Sequence, residues 1–311
     1  MRTLLLIYNP HAGKGRIVPQ LHNVIQVFQS HGYLTTLYAT QGQGDGVWAA
    51  AALGGDYDRV VCCGGDGTLS EVVTGLHSLE RMPLLGYLPA GTTNDFSKTL
   101  ELPSDLSEAA ELAVTGYPQP CDVGRFNDNR LFSYVAAFGV FTETSYATPQ
   151  PMKNLLGHTA YVLEGIKSLA SLKTYHVRAV WAGGELEDDV IYAMVSNSVS
   201  VGGFRGMRSL EVVLDDGLFE VFLVRAPKNA WELQQIAAAL LARQPNENFL
   251  AFQTDRIRFT SAEPIAWTLD GEFGGEHTEV SISNLPSYVT ILSGRDGGQD
   301  RQEGPDDAAA I

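Results

Sequence analysis

Positive charge is scarce in this chain: 21 Lys and Arg stand against 36 Asp and Glu in 311 residues, a net charge of −15. A protein that tracks a phosphate backbone carries a basic stripe, and none is visible here, so nucleic acid is not an expected partner. The same imbalance works against docking on anionic lipid by charge alone. Cysteine is equally sparse. Cys62, Cys63 and Cys121 show no metal-ligand spacing, and two of them are adjacent in an apolar run. They are expected to be reduced, buried thiols of a cytoplasmic protein. No segment approaches the roughly 18 uninterrupted apolar residues that span a bilayer. The N-terminal run Leu4–Tyr8 is too short for the apolar core of a signal peptide and passes directly into Asn9-Pro10, so it reads as a first buried strand. The seven histidines do not cluster at ligand spacing, and no Ser/His/Asp or Cys/His set for nucleophilic catalysis can be assembled.

Glycine is plentiful, with 32 residues, and its placement organises the chain. In Gly64-Gly65-Asp66-Gly67-Thr68-Leu69-Ser70-Glu71, an apolar run (Val60–Cys63) ends in glycines. A segment then begins with Leu69, Val72, Val73 and Leu76 at helical spacing. Strand, glycine loop and helix in that order bring backbone N–H groups and the positive end of a helix dipole to an anion. A carboxylate at Asp66 opposes a phosphate unless a divalent cation lies between or near them, so the loop implies Mg²⁺. The bland alternative is a tight turn with Asp66 as a helix N-cap.

The first 125 or so residues alternate short apolar runs with helical patterns, the signature of a parallel α/β sheet. After Leu4–Tyr8 comes Asn9-Pro10-His11-Ala12-Gly13-Lys14-Gly15-Arg16, a small-residue loop with two cations. It lacks the Gly-Lys-Ser/Thr ending of a P-loop. The strand Leu34–Ala39 ends at Thr40 and a glycine-rich loop, Gln41–Gly46, and an alanine-rich helix, Val47–Leu53, follows. The strand Leu84–Leu88 leads into Pro89-Ala90-Gly91-Thr92-Thr93-Asn94-Asp95-Phe96, which repeats the pattern of small residues, hydroxyls and a carboxylate. All four loops fall at the carboxyl edge of the sheet, where open α/β sheets bind ligands, so Asp66 and Asp95 are expected to share one metal–phosphate site.

Asn9-Pro10 with Gly13, Gly64–Thr68 with Glu71, and Pro89, Gly91-Thr92 and Asn94-Asp95-Phe96 resemble the signature set of the diacylglycerol kinase catalytic domain, most closely that of the soluble bacterial lipid kinases. NAD kinases and phosphofructokinases carry a similar Gly-Gly-Asp-Gly loop, and the Asn-Pro and Gly-Thr-x-Asn-Asp-Phe loops discriminate against them. The resemblance implies an NAD kinase/diacylglycerol kinase-like fold. An α/β nucleotide domain with a parallel sheet, residues 1–122, would be completed by a returning strand within 286–294. A C-terminal β-sandwich substrate domain would span 123–285, with the active-site cleft between the two. It further implies ATP held by Asn9, Pro10, His11, Ala12, Gly13, Thr40, Gly65, Asp66, Gly67, Thr68, Leu69, Ser70, Glu71 and Thr92. Asp66 and Asp95 would organise Mg²⁺ and the transferring phosphate. The partner is a lipid substrate, met peripherally at a membrane surface, by a monomer or a homodimer. Residues 295–311, acidic and without apolar periodicity, are expected to be disordered.

From Cys121 onward the runs Leu131–Val140, Tyr175–Trp181, Val190–Ser196, Phe219–Val224, Arg256–Thr260 and Ile265–Leu269 read as strands. About Tyr161–Leu172 and Ala230–Leu241 read as helices. Leu269-Asp270-Gly271-Glu272 is by itself an ordinary hairpin turn; the resemblance makes Glu272 the proton acceptor for the lipid hydroxyl. Asp215-Asp216-Gly217-Leu218 is likewise either a type I′ hairpin turn or, by resemblance, a second Mg²⁺ site with Asp216 and the carbonyls of Val213 and Leu218 as ligands. The preceding glycines, Gly202, Gly203 and Gly206, match the family, without the proline usual between them and the Asp-Asp-Gly. Phe138, Phe141, Tyr146, Met152, Leu155, Leu156, Tyr161 and Leu163 are core candidates that could also line an acyl-chain entrance.

Overall fold

The computed structural model describes residues 2–127, 130–140, 142, 172–198, 200–201, 204–205, 212–242 and 244–294. The expected helix near Tyr161–Leu172, most of the acyl-entrance candidates, the glycines 202, 203 and 206, and the 295–311 tail lie outside these. The chain divides into two compact units, 1–121 with the stretch from Val289 onward, and 122–288.

In the first unit, β1 (Arg2–Tyr8), β2 (Tyr33–Ala39), β3 (Arg59–Gly64) and β4 (Leu84–Pro89) form a parallel sheet in the order β4-β3-β1-β2. All six residues of β3 are buried, as a parallel strand covered on both faces requires. One face packs Leu4, Leu6, Val61, Cys63 and Leu88 against Val24 and Phe28 of α1 (Leu21–Ser30) and Ala109, Ala110 and Ala113 of α5 (Leu106–Thr115). Asp105 caps α5 by accepting from the N–H groups of Ser107 and Glu108. On the other helices, α2 (Asp45–Leu53) lies close against α3 (Asp66–Leu76): a methyl at Gly75 would fall 2.3 Å from the Val47 carbonyl. The end of the last strand returns here, where Ile291 pairs in parallel with Leu85. The three cysteines are free and buried, and burial pushes the Cys63 thiol up to about 12.

In the second unit the expected strand Leu131–Val140 is two strands, β6 (Arg130–Phe132) and β7 (Val135–Gly139), broken by a turn at Ser133-Tyr134. The strand β5 (Tyr117–Phe126) leads in and pairs with β6. Next come β8 (Tyr175–Trp181) and β9 (Gly184–Ser196), which begins well before Val190. A short pair follows, β10 (Ser200–Val201) and β11 (Phe204–Arg205). Then come β12 (Phe219–Arg225), helix α6 (Ala230–Ala242) and β13 (Phe249–Thr254). The two expected strands Arg256–Thr260 and Ile265–Leu269 are one 14-residue strand, β14 (Arg256–Leu269), and β15 runs Glu272–Ser293. Because β9 and β14 are long, each pairs with both β7 and β8. The layers expected of a sandwich are therefore joined by shared strands that close a ring β7-β9-β8-β14. Its centre is aromatic: Trp267 lies with ring centroids 4.8 Å from Phe138 and 5.3 Å from both Phe126 and Phe259, in edge-on geometry that suits ring quadrupoles.

Candidate active site

Three loops at the carboxyl edge of the first sheet are locked together through backbone atoms. The Asn9 N–H donates to the Cys63 carbonyl at 2.9 Å, and the N–H groups of Ala90 and Gly91 donate to the Gly64 carbonyl at 2.8 and 3.1 Å. Glycine is required where they touch. Gly13 has φ +52°, and a methyl there would fall 2.1 Å from the Ala90 carbonyl oxygen; one at Gly91 would fall 2.5 Å from Gly65 Cα. Asn9 also shapes its own loop, its Oδ1 accepting from the His11 N–H at 2.9 Å and its carbonyl from Ala12 N–H. Thr40 is buried and donates its N–H to the Tyr8 carbonyl, which ties the loop after β2 to the same edge.

Asp66 is not the N-cap of its helix. Gly65 occupies that position and has no side chain with which to cap α3. The Asp66 carboxylate instead reaches the short helix α4 (Asp95–Thr99), accepting from the N–H of Asp95 at 2.9 Å and of Phe96 at 3.3 Å. Asp95 is not a cap either: Asn94, in the left-handed region at φ 48°, takes that place. The structure thus brings Asp66 and Asp95 together, both buried. Asp95 Oδ1 lies 2.7 Å from Lys98 Nζ. Between Gly91 and Asp95, the Asn94 amide donates to the Gly91 carbonyl, while its Oδ1 is buried without a hydrogen-bond partner among the described residues. Two buried carboxylates and an amide oxygen lacking a donor are hard-oxygen chemistry of the kind Mg²⁺ takes. Thr92 is exposed beside them; Leu69 is wholly buried, so its side chain serves the core. Glu71 does not join Asp66: it accepts from the N–H of Gly44 at 2.7 Å and of Gly46 at 3.0 Å.

In the second unit Glu272 is exposed and pairs with Leu269 across a two-residue turn. Asp270 and Gly271 both have positive φ, 49° and 85°, which makes the turn type I′. The sequence signal missed its anchor. The Asp270 carboxylate is buried and accepts from the N–H groups of Ser133, at 2.6 Å, and of Tyr134 and Val135, at 3.0 Å each. The first two amides belong to the turn that splits β6 from β7, and the third opens β7.

Asp216 is exposed and its Oδ1 accepts from the Leu218 N–H at 2.9 Å. Only Gly217 in this turn has positive φ, and no strand precedes it within 212–218, so the expected type I′ hairpin is corrected. The turn is held by Asp122, in the buried stretch of β5 and without a motif of its own in the sequence. It is wholly buried, accepts from the N–H groups of Gly217 and Ser287 at 2.7 Å each and from the Asn284 amide at 3.1 Å, and burial raises its pKa despite them. Among the described residues no three His, Cys, Asp or Glu side chains gather as a metal cluster, so a cation at Asp216 would rest on one carboxylate with carbonyls and water. No described helix is long and apolar enough to cross a membrane.

The model of the diacylglycerol kinase catalytic domain family matches residues 3–126. Among curated relatives, the diacylglycerol kinase of Bacillus subtilis (strain 168) is 34% identical over 279 residues, 88% of this chain and 91% of its own. That of Staphylococcus epidermidis (strain RP62A) is 32% identical over 294 residues, 94% of this chain and 92% of its own. A crystal structure of a Bacillus anthracis (strain Sterne) protein assigned as a diacylglycerol kinase superposes with TM-score 0.81 at 26% identity, covering 94% of this chain and 97% of that one. With the signature loops joined at one sheet edge and likeness extending over nearly the whole chain, the protein belongs to the diacylglycerol kinase family and is a lipid kinase.

Proposed function

We propose that the chain transfers the terminal phosphoryl group of ATP to a hydroxyl of diacylglycerol or a related lipid, with Mg²⁺. The observation that carries this reading is the junction at Asp66, where a buried carboxylate holds the start of α4 beside Asp95 and Asn94 Oδ1. Asp66, Asp95 and the Asn94 oxygen would hold the cation, which when bound neutralises charge on the phosphates. The Gly65 and Gly67 backbone N–H groups, the start of α3 and the Thr92 hydroxyl would donate to phosphate oxygens, and Asn9 to Gly13 would close over them. Glu272 would take the proton as the lipid oxygen bonds to the terminal phosphorus and the bond from that phosphorus to the leaving ADP breaks. A second Mg²⁺ at Asp216 and the Val213 and Leu218 carbonyls would be structural.

The test incubates the protein with labelled ATP, Mg²⁺ and a panel of diacylglycerols, sphingoid bases, phosphatidylglycerol, NAD and fructose 6-phosphate. Label is expected in a lipid and to be lost in EDTA. Label in NAD or the sugar alone would overturn the lipid reading, and label in nothing would mark a nucleotide- or lipid-binding regulator.

A further inference from the structure

Glu272 stands on β15, and not in the turn before it, because of an irregularity two residues further on. From Ile265–His277 to Trp267–Gly275 the pairing of β14 with β15 is regular. It then shifts by one, and Gly274 is passed over before the pairs Thr268–Phe273 and Leu269–Glu272. That is a β-bulge, one extra residue on one strand, which bends the strand and re-aims its side chains. Continued without it, the register set at Ile265–His277 would put Phe273 opposite Leu269 and leave Glu272 in the turn. The residues suit the bulge. Gly275 has φ +100°, and Gly274 is buried so closely on β14 that a methyl there would fall 3.0 Å from the Trp267 carbonyl oxygen.

Two side chains grip this bulge. Arg130 Nη1 donates to the Gly274 carbonyl at 2.7 Å and Nη2 to the Phe273 carbonyl at 3.3 Å. Successive carbonyls of a regular strand point to opposite edges, so one guanidinium fork takes both only where a bulge has turned them. His277 Nε2 lies 3.2 Å from the same Gly274 oxygen, and because a carbonyl only accepts, this nitrogen carries the hydrogen. The His277 ring is set edge-on to Phe126, centroids 5.4 Å apart, and Phe126 is the ladder partner of Arg130. Arg130 opens β6, and the turn that ends β6 holds Asp270. One segment, residues 130–135, therefore fixes the chain both two residues before Glu272 and two residues after it. We infer that Arg130 and His277 are positioning residues: by clamping the Gly274 bulge they set where the Glu272 carboxylate stands, and they act on the reaction through it. This rests on the reading of Glu272 as proton acceptor.

The test compares Arg130→Met, His277→Phe, His277→Gln, Glu272→Ala and the combined Arg130→Met, Glu272→Ala variant by steady-state kinetics and by amide exchange over residues 271–276. Methionine keeps an unbranched stem and removes the donors; phenylalanine keeps a ring against Phe126 and removes the N–H, which glutamine restores. A reacting group misplaced by about an ångström costs up to about a hundredfold. Arg130→Met is therefore expected to lower kcat about ten- to a hundredfold and to speed exchange over 271–276, with the KM for ATP within about twofold of wild type. His277→Phe should lose about three- to tenfold in kcat, the scale of one hydrogen bond, and His277→Gln should return to within about twofold of wild type. Added to Glu272→Ala, Arg130→Met should cost no more than about a further twofold, because residues that act as a unit are not additive. Wild-type kcat in Arg130→Met beside an impaired Glu272→Ala would overturn the inference. Full additivity of the two losses would do so as well, since it marks a merely structural role. The His277 pair carries the test should Arg130→Met not fold. Wild-type turnover in Glu272→Ala would remove the proton-acceptor reading alone; the clamp is then judged by exchange, which Arg130→Met speeds if the bulge is held as inferred and leaves unchanged if it is not.

Discussion

Asp66 and Glu272 are both carboxylates of the proposed reaction, but their surroundings give them different weights. Asp66 is buried and its oxygens position the start of α4, so changing it disturbs charge and architecture at once. Glu272 is exposed on a hairpin whose geometry is fixed by Asp270. Because phosphoryl transfer has a loose transition state, positioning and cationic charge outweigh the base. Glu272→Ala is expected to lower kcat by about 10²–10⁴-fold, and Asp66→Ala by at least as much, in a labelled-ATP assay. A dead Glu272→Ala beside an Asp66→Ala variant with substantial turnover would reverse the roles. Glu220 offers a test by pH. It is buried on β12, one oxygen accepting from Gln253 and the other without a hydrogen-bond partner among the described residues, and burial raises its pKa from 4.5 to about 7. The folded state holds this proton more tightly than the unfolded chain does. The contribution is therefore fully present below pH 4.5 and is lost as pH rises through 7. Glu220→Gln, measured in EDTA, should raise Tm at pH 8 and leave it nearly unchanged at pH 4. The opposite ordering would show that the carboxylate is stabilised as an anion.

The elements that matter most are loops welded at glycines. At Gly13 a side chain meets two penalties, a positive φ and a carbonyl oxygen 2.1 Å away, neither of which can yield without parting the Asn9 loop from the Ala90 loop. Gly13→Ala should therefore weaken ATP binding by at least about tenfold and lower stability by roughly 1–3 kcal/mol, checked by calorimetry and denaturant unfolding. Gly55→Ala, where a methyl would make only ordinary contact with Leu79 at 3.5 Å, is the control and should leave both unchanged within error. Equal behaviour of the two would mean that the loops are not in contact in solution.

For the whole chain, the return of Val289–Leu292 to the first unit ties the fold's beginning to its end. Val289, Ile291 and Leu292 are almost wholly buried. At about 1.5–3 kcal/mol for each such side chain, their burial is comparable to the entire stability of an ordinary domain. Ending the chain at Tyr288 should leave the first unit unfolded, seen as loss of ATP binding and of its share of protected amides. Retention of both would show that the returning segment is dispensable.

Much of this was written locally. Strand–glycine–helix punctuation placed β1 to β4 and α3 within a residue or two, because parallel strands buried on both faces leave continuous apolar runs and their loops need glycine at defined contacts. The signature loops marked the family and the candidate residues for the same reason: close backbone approach leaves few residue types to choose from. What the sequence could not assign was each carboxylate's partner. Asp66 at the start of α4, Glu71 at the start of α2, Asp270 under the β6–β7 turn and Asp122 beneath Gly217 all accept from amides 25 to 165 residues away. Such partners depend on which ends the sheet brings side by side, and that follows from strand order and register, not from local composition. The same holds for the ring closed by β9 and β14: alternation within each strand shows which residues point inward, but only the completed pairing decides that one strand serves two neighbours along its length.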